Sequence, residues 1–196
     1  MHAQEAKKGL FSKLEYGFNI GWGHEENFLF NDPDYSYDVE FHKLQIYYPL
    51  KKKSRISYEI LIQPEINIAK HQLHNFYFVT PDEKNHLAKK ALFTQRRTFT
   101  EYVLNIGFLV RKPLYHKLDS YLLISLGPSI INKASERLAE GFAFSDSLAI
   151  GLNYDIQQHI TLDFRSVIRH VSNADLQLPN GGYNTMNFEI GLRYKK

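Results

Sequence analysis

Two polar residues near the end of the chain, His170 and Ser172, have side chains that could work together as a base and a nucleophile. They belong to an alternating row that is otherwise mostly apolar: Ile160, Leu162, Phe164, Ser166, Ile168, His170 and Ser172. Residues two apart on a β-strand share a face and lie roughly 6.5–7 Å apart, so the imidazole can lean toward the hydroxyl and accept its proton. The alternative is that a strand ends here, with His170 in a polar boundary zone and Ser172 at the start of a loop.

The composition limits which functions need to be considered. The chain has 196 residues, which fits a single domain over residues 1–196. Its net charge of +3, from 24 basic and 21 acidic residues, is too small and too scattered to indicate a nucleic-acid partner. The absence of cysteine excludes disulfides, a thiol nucleophile and thiolate metal sites. We assign no cofactor and no metal. Only His71 and His74 are close enough in sequence to suggest a chelating pair, and a surface loop is the more ordinary interpretation.

Hydropathy alone does not decide between a soluble and a membrane protein. No run of about 18 apolar residues occurs, which excludes a transmembrane helix. Membrane β-barrels also lack a strongly apolar composition, because their lipid-facing and lumen-facing residues alternate. Aromatic residues make up 14% of the chain, which fits the aromatic girdles of such barrels. The start of the chain lacks the apolar core of a signal peptide, so we interpret it as a mature chain with an added Met1.

Eight segments alternate apolar and polar residues with a period of two, which predicts eight strands. Their apolar rows cover residues 14–22, 37–48, 56–68, 102–110, 122–130, 142–154, 160–168 and 186–194. Pro64, inside the third segment, is expected at a strand edge or a bulge. Short connections at 51–54, 112–118 and 155–158 alternate with long ones at 25–36, 70–96, 133–141 and 173–183. This alternation is typical of an up-and-down outer-membrane barrel with both termini on the periplasmic side.

The pattern also fits a soluble sandwich or a lipocalin with its apolar rows inside. The polar rows, however, mix charges of both signs with many glycines and other small residues, as a narrow interior requires. The charged members are Lys13, Glu15, Glu59, Glu65, Glu101, Arg111, Asp163, Arg165, Arg169, Glu189 and Arg193. We therefore predict an all-β protein: an eight-stranded antiparallel up-and-down transmembrane β-barrel, with its apolar rows facing lipid in the bacterial outer membrane.

The segment HVSNADLQLPNGGYN, which begins at His170, resembles the active-site segment of the outer-membrane lipid A 3-O-deacylases. In these eight-stranded barrels, a histidine and a serine on strand seven hydrolyse an ester of lipid A. The matching positions are His170, Ser172, Asn173, Ala174, Pro179, Asn180 and Gly182. The motif covers about fifteen residues, whereas the alternation supports the same barrel over essentially the whole chain.

The resemblance implies a serine esterase that acts on lipid A, or lipopolysaccharide, in the outer leaflet. Ser172 would be the nucleophile and His170 the general base. The backbone N–H groups that follow Ser172, particularly that of Asn173, would hold the oxyanion. A site on the outer wall of the barrel would reach the ester without extracting the lipid. Pairing of two copies into a homodimer is a further expectation for this membrane protein.

Two positions depart from the family's pattern. Asn184 stands where an acidic residue orients the histidine, and Asp175 stands where glycine is common. Asparagine can still accept a hydrogen bond from the ring, but it adds no charge. Asp146, which breaks the outward apolar row of strand six, is predicted to lie opposite Ile168 and diagonal to His170. It is either turned inward by a bulge or a substitute orienting acid.

Two other functions compete with the esterase. One is a non-catalytic outer-membrane barrel that serves adhesion or envelope integrity, and the other is a soluble ligand-binding barrel. A further open point is the basic loop, which contains Lys84, Lys89, Lys90, Arg96 and Arg97. This loop either meets lipid A phosphates or is simply solvated.

Overall fold

The computed structural model describes residues 13–25 and 29–195. Its strands are β1 (Glu15–His24), β2 (Tyr35–Lys53), β3 (Ile56–Leu73), β4 (Arg97–Tyr115), β5 (Leu118–Ile131), β6 (Gly141–Asp155), β7 (Ile160–Ser172) and β8 (Tyr183–Tyr194). Between β3 and β4 lie a 3-10 turn, Phe76–Phe78, and a short helix α1, His86–Phe93. No described helix could cross a membrane.

The eight strands close into one barrel, which confirms the predicted fold. Each strand pairs antiparallel with the next, and β1 also pairs with β8. All eight predicted segments are strands, but β2, β3 and β4 are much longer than their apolar rows. Toward the long-loop end, β3 and β4 continue past their apolar rows with polar outward residues such as Lys70 and Thr98, and toward the short-turn end β2 and β4 continue through residues 49–53 and 111–115.

The apolar rows face outward, as predicted. Ile124, Ile150 and Phe188 are each more than half exposed on the outer wall. The interior holds a paired network of charges, in which Arg169 contacts Glu101 at 2.6 Å. Such pairing satisfies charges in a narrow, dry lumen. One interior residue was wrongly predicted: Lys13 precedes β1 and is exposed.

Pro64 lies in the middle of β3, not at an edge or a bulge as expected. It pairs with Leu104 of β4 without a register shift. On the other side, the pairing with β2 is interrupted between Lys43↔Glu65 and Ile46↔Ile62. Proline has no N–H to donate, so the ladder loses contacts there but keeps its register.

Four long loops gather at one end of the barrel and three short turns at the other, as predicted. We name the long ones loop 1 (25–34), loop 2 (74–96), loop 3 (132–140) and loop 4 (173–182). β1 begins and β8 ends at the short-turn end, and residues 1–12, which include the predicted added Met1, lie outside the described residues.

The mouth of the barrel at the long-loop end holds an apolar cluster that the sequence pattern did not predict. Tyr37 and Tyr183 stack with their ring centroids 4.1 Å apart, and Phe99 and Leu138 join them in the cluster. His71 also lies here with its side chain buried, so its interpretation as part of a surface loop is wrong. This packing anchors loops 2 and 3 to the interior.

Candidate active site

His170 and Ser172 are the last two outward residues of β7. The alternation of burial along the strand places both on the outer wall, where each is half-buried, next to the exposed Ile168. Ser172 ends the strand, so the pair lies where the lipid-facing wall meets loop 4. Any group that reaches the pair must approach along the outside of the barrel.

Asn184 on β8 holds the imidazole of His170 from one side. The two residues are register partners, and the ring Nδ1 lies 2.8 Å from the Asn184 Oδ1. Because an amide oxygen only accepts hydrogen bonds, Nδ1 carries the proton in this arrangement and Nε2 of the neutral ring keeps its lone pair. That tautomer is the one a general base needs.

Asp146 on β6 lies on the other side of His170, and both predictions about its position need correction. The β6–β7 register is shifted by two residues from the predicted one, so Asp146 lies directly opposite His170 instead of Ile168. No bulge interrupts β6 at this point, and the half-buried carboxylate stays on the outer wall. Among the described residues no ion pair or hydrogen bond engages its side chain, and the imidazole Nδ1 is bound to Asn184 instead.

Asn173 is the first residue of loop 4, and its backbone N–H is not free to bind an oxyanion. Its buried side chain donates to the carbonyl of Gln177 at 2.6 Å, and its backbone N–H donates to the Asn180 Oδ1 at 2.7 Å. Because this N–H is already engaged, the expectation that it holds an oxyanion is corrected. The next two residues, Ala174 and Asp175, have φ values of 52° and 59°. Their N–H groups meet no acceptor within the described part of the chain.

Asn180 is a residue whose role the sequence did not reveal. It belongs to the motif that carries the family resemblance, but nothing in its spacing indicates what it binds. Its Oδ1 accepts from Asn173, and its Nδ2 donates to the Asp175 carboxylate at 2.8 Å. This second contact fixes the carboxylate of Asp175, the acidic residue that stands where the family commonly has glycine, against Asn180.

Gly182 packs directly against His170 and Ser172. A Cβ atom built on it would lie 3.1 Å from the His170 Cε1 and 3.3 Å from the Ser172 Cβ, and only 2.6 Å from the Val171 carbonyl oxygen. Its φ of 61° also favours glycine. His170 and Ser172 therefore flank one point on the backbone of loop 4, which explains why a glycine is required there beyond its role as a turn residue.

A groove lies farther down the outer wall, on the same face of β7 as the pair. It has a volume of about 430 Å³ and is lined by residues of β6, β7 and β8, including Ile150, Phe164, Ser166 and Phe188. Ser166 lies on the same face of β7 as His170, four residues earlier, which places it roughly 13 Å farther down the strand. The groove is almost wholly apolar and open to the surrounding lipid.

A model of the lipid A 3-O-deacylase (PagL) family matches residues 84–193, which is more than half of the chain. The chain belongs to this family. The match to the deacylase family runs from loop 2 to β8, so it includes Asp146, His170, Ser172 and Asn184, while β1 to β3 lie outside it.

Two solved structures resemble the fold of this deacylase-family member. The outer membrane enzyme PagL has a TM-score of 0.59 at 11% identity, over 92% of this chain and 99% of that one. Neisserial surface protein A has a TM-score of 0.52 at 10% identity, over 94% of this chain and 98% of that one. No curated protein matches the chain. Family and fold together place the protein in the bacterial outer membrane.

Proposed function

We propose that the protein is a serine esterase that hydrolyses the 3-O-linked acyl chain of lipid A in the outer leaflet. Ser172 acts as nucleophile, His170 as general base and Asn184 as the residue that orients His170. The observation that carries the proposal is the arrangement on the outer wall: the His170 Nδ1 lies 2.8 Å from the Asn184 Oδ1, and His170 and Ser172 flank Gly182.

The reaction follows from the tautomer of His170. The His170 Nε2 takes the proton of the Ser172 hydroxyl while the Ser172 Oγ attacks the ester carbonyl carbon. This attack gives a tetrahedral oxyanion. The ester C–O bond then breaks, and the imidazolium returns its proton to the departing sugar oxygen. A water molecule, deprotonated by the same nitrogen, hydrolyses the acyl-serine and frees the fatty acid.

The oxyanion needs donors other than Asn173. The N–H groups of Ala174 and Asp175 come two and three residues after the nucleophile, in backbone conformations that turn the chain sharply. We assign the oxyanion to these two groups, since preorganised backbone N–H donors are a common form of such stabilisation.

Asp146 supplies the negative charge that Asn184 lacks. Directly opposite residues of an antiparallel pair interact across the strands, and Asp146 lies opposite His170 on the lipid-facing side. In surroundings of low dielectric constant, a carboxylate near the imidazolium stabilises it more strongly than it would in water. Orientation and charge, which one acidic residue combines in the family's pattern, are thus divided between β8 and β6.

The surroundings of the pair suit a lipid substrate. Leu176 and Leu178 of loop 4, which follows Ser172 in the chain, are 69% and 83% exposed, and a groove opens farther down the apolar wall at Ser166. Exposed apolar side chains on an outer-membrane barrel contact lipid without a desolvation cost. The ester can therefore lie at Ser172 while its acyl chain extends into the groove.

Mass spectrometry of lipid A tests the proposal. Purified lipopolysaccharide is incubated with the folded protein in detergent, and we expect loss of one 3-O-linked acyl chain. Ser172→Ala and His170→Ala should abolish this loss while the barrel stays folded. Unchanged lipid A with the wild-type protein would favour the alternative, a non-catalytic barrel that serves adhesion or envelope integrity. A mass loss that fits another position would correct the 3-O assignment alone.

Pairing of two copies stays a prediction. Chemical cross-linking of the protein in outer-membrane vesicles, compared at several expression levels, tests it. A cross-linked dimer at the lowest expression level would support pairing, and a monomer at all levels would contradict it.

A further inference from the structure

Loop 3 connects the interior of the barrel mouth with the site on the outer wall. Inside the mouth, the Glu136 Oε2 lies 2.5 Å from the His71 Nε2, and both side chains are about 99% buried, with 1% exposure each. The hydroxyl of Tyr37 donates to the Ser135 Oγ at 2.8 Å. Two consecutive residues of loop 3 are thus fixed to β2 and β3, far around the barrel from β7.

The next residue, Arg137, binds the Gly181–Gly182 backbone of loop 4. Its Nε donates to the Gly182 carbonyl at 2.6 Å, and its Nη2 donates to the Gly181 carbonyl at 2.7 Å. Its own carbonyl accepts from the N–H groups of Gly181 and Gly182, at 2.7 and 3.1 Å. The guanidinium also lies over the ring of Tyr35, 4.6 Å from its centroid. Arg137 is therefore held in place on two sides.

The two glycines separate Arg137 from the catalytic pair by one layer of backbone. A Cβ atom on Gly181 would lie 2.9 Å from the Arg137 Cζ, whereas one on Gly182 would lie 3.1 Å from the His170 Cε1. One glycine makes room for the guanidinium and the other for the imidazole and the serine. A displacement of the guanidinium would pass through this backbone to His170 and Ser172.

We infer that Arg137 is a positioning residue, which fixes the distance and angle between His170 and Ser172 through the Gly181–Gly182 backbone. The inference rests on the proposed function, but it adds a residue that touches neither substrate nor reacting atoms. It also explains how a site on the outside of the barrel is kept rigid: the support comes from the interior, through Glu136 and Ser135.

The side chain of Arg137 can be changed without cutting loop 3 from loop 4. The two hydrogen bonds that its carbonyl accepts belong to the backbone and persist in every variant. Arg137→Ala removes both guanidinium bonds. Arg137→Lys leaves an ammonium group that cannot reproduce the planar fork. We therefore expect the alanine variant to be the weaker enzyme and the lysine variant to be intermediate.

Steady-state kinetics with a p-nitrophenyl acyl ester in detergent micelles test the inference. For Arg137→Ala we expect kcat to fall about tenfold or more with KM within about twofold, because substrate binding is untouched. Labelling of Ser172 by a small fluorophosphonate should slow by a similar factor, since it depends on the activation of Ser172 by His170 and not on lipid binding. The heat-dependent gel mobility of the barrel shows that the variant is folded.

Arg97→Ala is the matched control. Arg97 also ties loop 3 to the barrel, through a 2.9 Å bond from its Nη1 to the Ala134 carbonyl, and it lies 5.5 Å from the ring of Phe93. It has no contact with loop 4 among the described residues. Its loss should leave kcat within about twofold of the wild-type value.

Several results would overturn the inference. One is a wild-type kcat in Arg137→Ala, and another is an equal fall in Arg97→Ala. If Arg137→Ala does not fold, Arg137→Lys and Arg137→Gln carry the comparison, and a wild-type kcat in both overturns it. If the wild-type protein neither hydrolyses the ester nor reacts with the fluorophosphonate, the proposed function is wrong, and the inference fails with it. If the wild type is active and Arg137→Ala is equally active, only the inference about Arg137 fails and the proposed function stands.

Discussion

Two serine–histidine pairs lie on the outward surface of the described part of the barrel, and their surroundings differ. Ser36 of β2 and His74 of loop 2 lie 3.0 Å apart, from Oγ to Nε2, so they already form a hydrogen bond. Ser172 and His170 have no such bond in the described structure, but Asn184 holds the His170 ring from behind. No acceptor among the described residues meets the Nδ1 of His74. Its ring is free to take either tautomer.

The two pairs also differ in the wall beneath them. The outward row of β2 leads from Ser36 to Asp38, Glu40 and His42, which are polar. The outward row of β7 leads from His170 to Ile168 and, beyond Ser166, to Phe164, and a groove opens there. A lipid ester that follows the apolar wall can reach Ser172, whereas the wall that leads to Ser36 carries the charged residues Asp38 and Glu40. The comparison indicates that tautomer control and lipid access define the site, more than contact between serine and histidine.

We expect the largest effect from substitutions in the His170–Ser172 pair, compared with the same substitutions in the Ser36–His74 pair. Ser172→Ala and His170→Ala should each lower the rate of lipid A deacylation by about 10³-fold or more, since nucleophile and base act as one unit. Ser36→Ala and His74→Ala, the matched controls, should leave the rate within about twofold. Mass spectrometry of lipid A after timed incubation measures both. A similar loss from the Ser36 pair would break the comparison.

Gly182→Ala should have the next largest effect, because the new Cβ would press on the Val171 carbonyl, His170 and Ser172 together. We expect a fall in kcat of about a hundredfold. Gly141→Ala is the control: Gly141 has a φ of 111°, which is even less favourable for a side chain than the 61° of Gly182, but its added Cβ would meet only the Gln177 Oε1, at 3.9 Å. Both variants carry backbone strain, and only the first disturbs the site. Equal losses in the two would mean that strain alone explains the effect.

Much of this barrel could be predicted from the sequence, because period-two alternation marks both faces of a strand. The outward position of His170 and Ser172 follows from the same parity. Register is harder, since a change of two residues preserves parity. The β6–β7 turn spans more residues than a tight hairpin, and Asp146 therefore lies opposite His170 and not Ile168. Alternation cannot detect such a shift.

Contacts between loops could not be predicted at all. Nothing in the spacing of Arg137, Asn180 or Glu136 indicates a partner, because each contact joins segments that the barrel brings together only after closure. The engagement of the Asn173 N–H by Asn180 is a contact of this kind, and it removed the expected oxyanion donor. The mouth cluster was missed for a different reason: Tyr37 and Tyr183 face inward although they are aromatic, as do the apolar residues of a second buried cluster that includes Leu61 and Leu123, whereas the alternation assigns apolar residues to the outer wall.

Changes at the two neighbours of His170 test the division between orientation and charge. Asn184→Leu removes the acceptor at Nδ1 and should lower kcat by about tenfold to a hundredfold. Asn184→Asp keeps an acceptor and adds charge, so we expect a rate at or above that of the wild type. Asp146→Asn should lower kcat by about tenfold or less, because orientation is retained.

Steady-state kinetics of the three variants with a p-nitrophenyl acyl ester in detergent micelles measure these effects. An unchanged kcat in Asp146→Asn would show that its carboxylate does not act on His170.

The smallest expected effect concerns the groove, which is the other feature that the Ser36 pair lacks. Ser166→Phe would fill the space between Phe164 and Phe188, six residues or roughly 20 Å along the strand from Ser172. Short-chain p-nitrophenyl esters do not reach that far, so their kcat/KM should stay within about twofold, while long-chain esters should lose about fivefold. Ile66→Phe, in a separate groove of about 550 Å³ on the β2–β5 side, should change neither. A loss that is the same for all chain lengths would mean that the acyl chain lies elsewhere and that the apolar wall serves only as a path to Ser172.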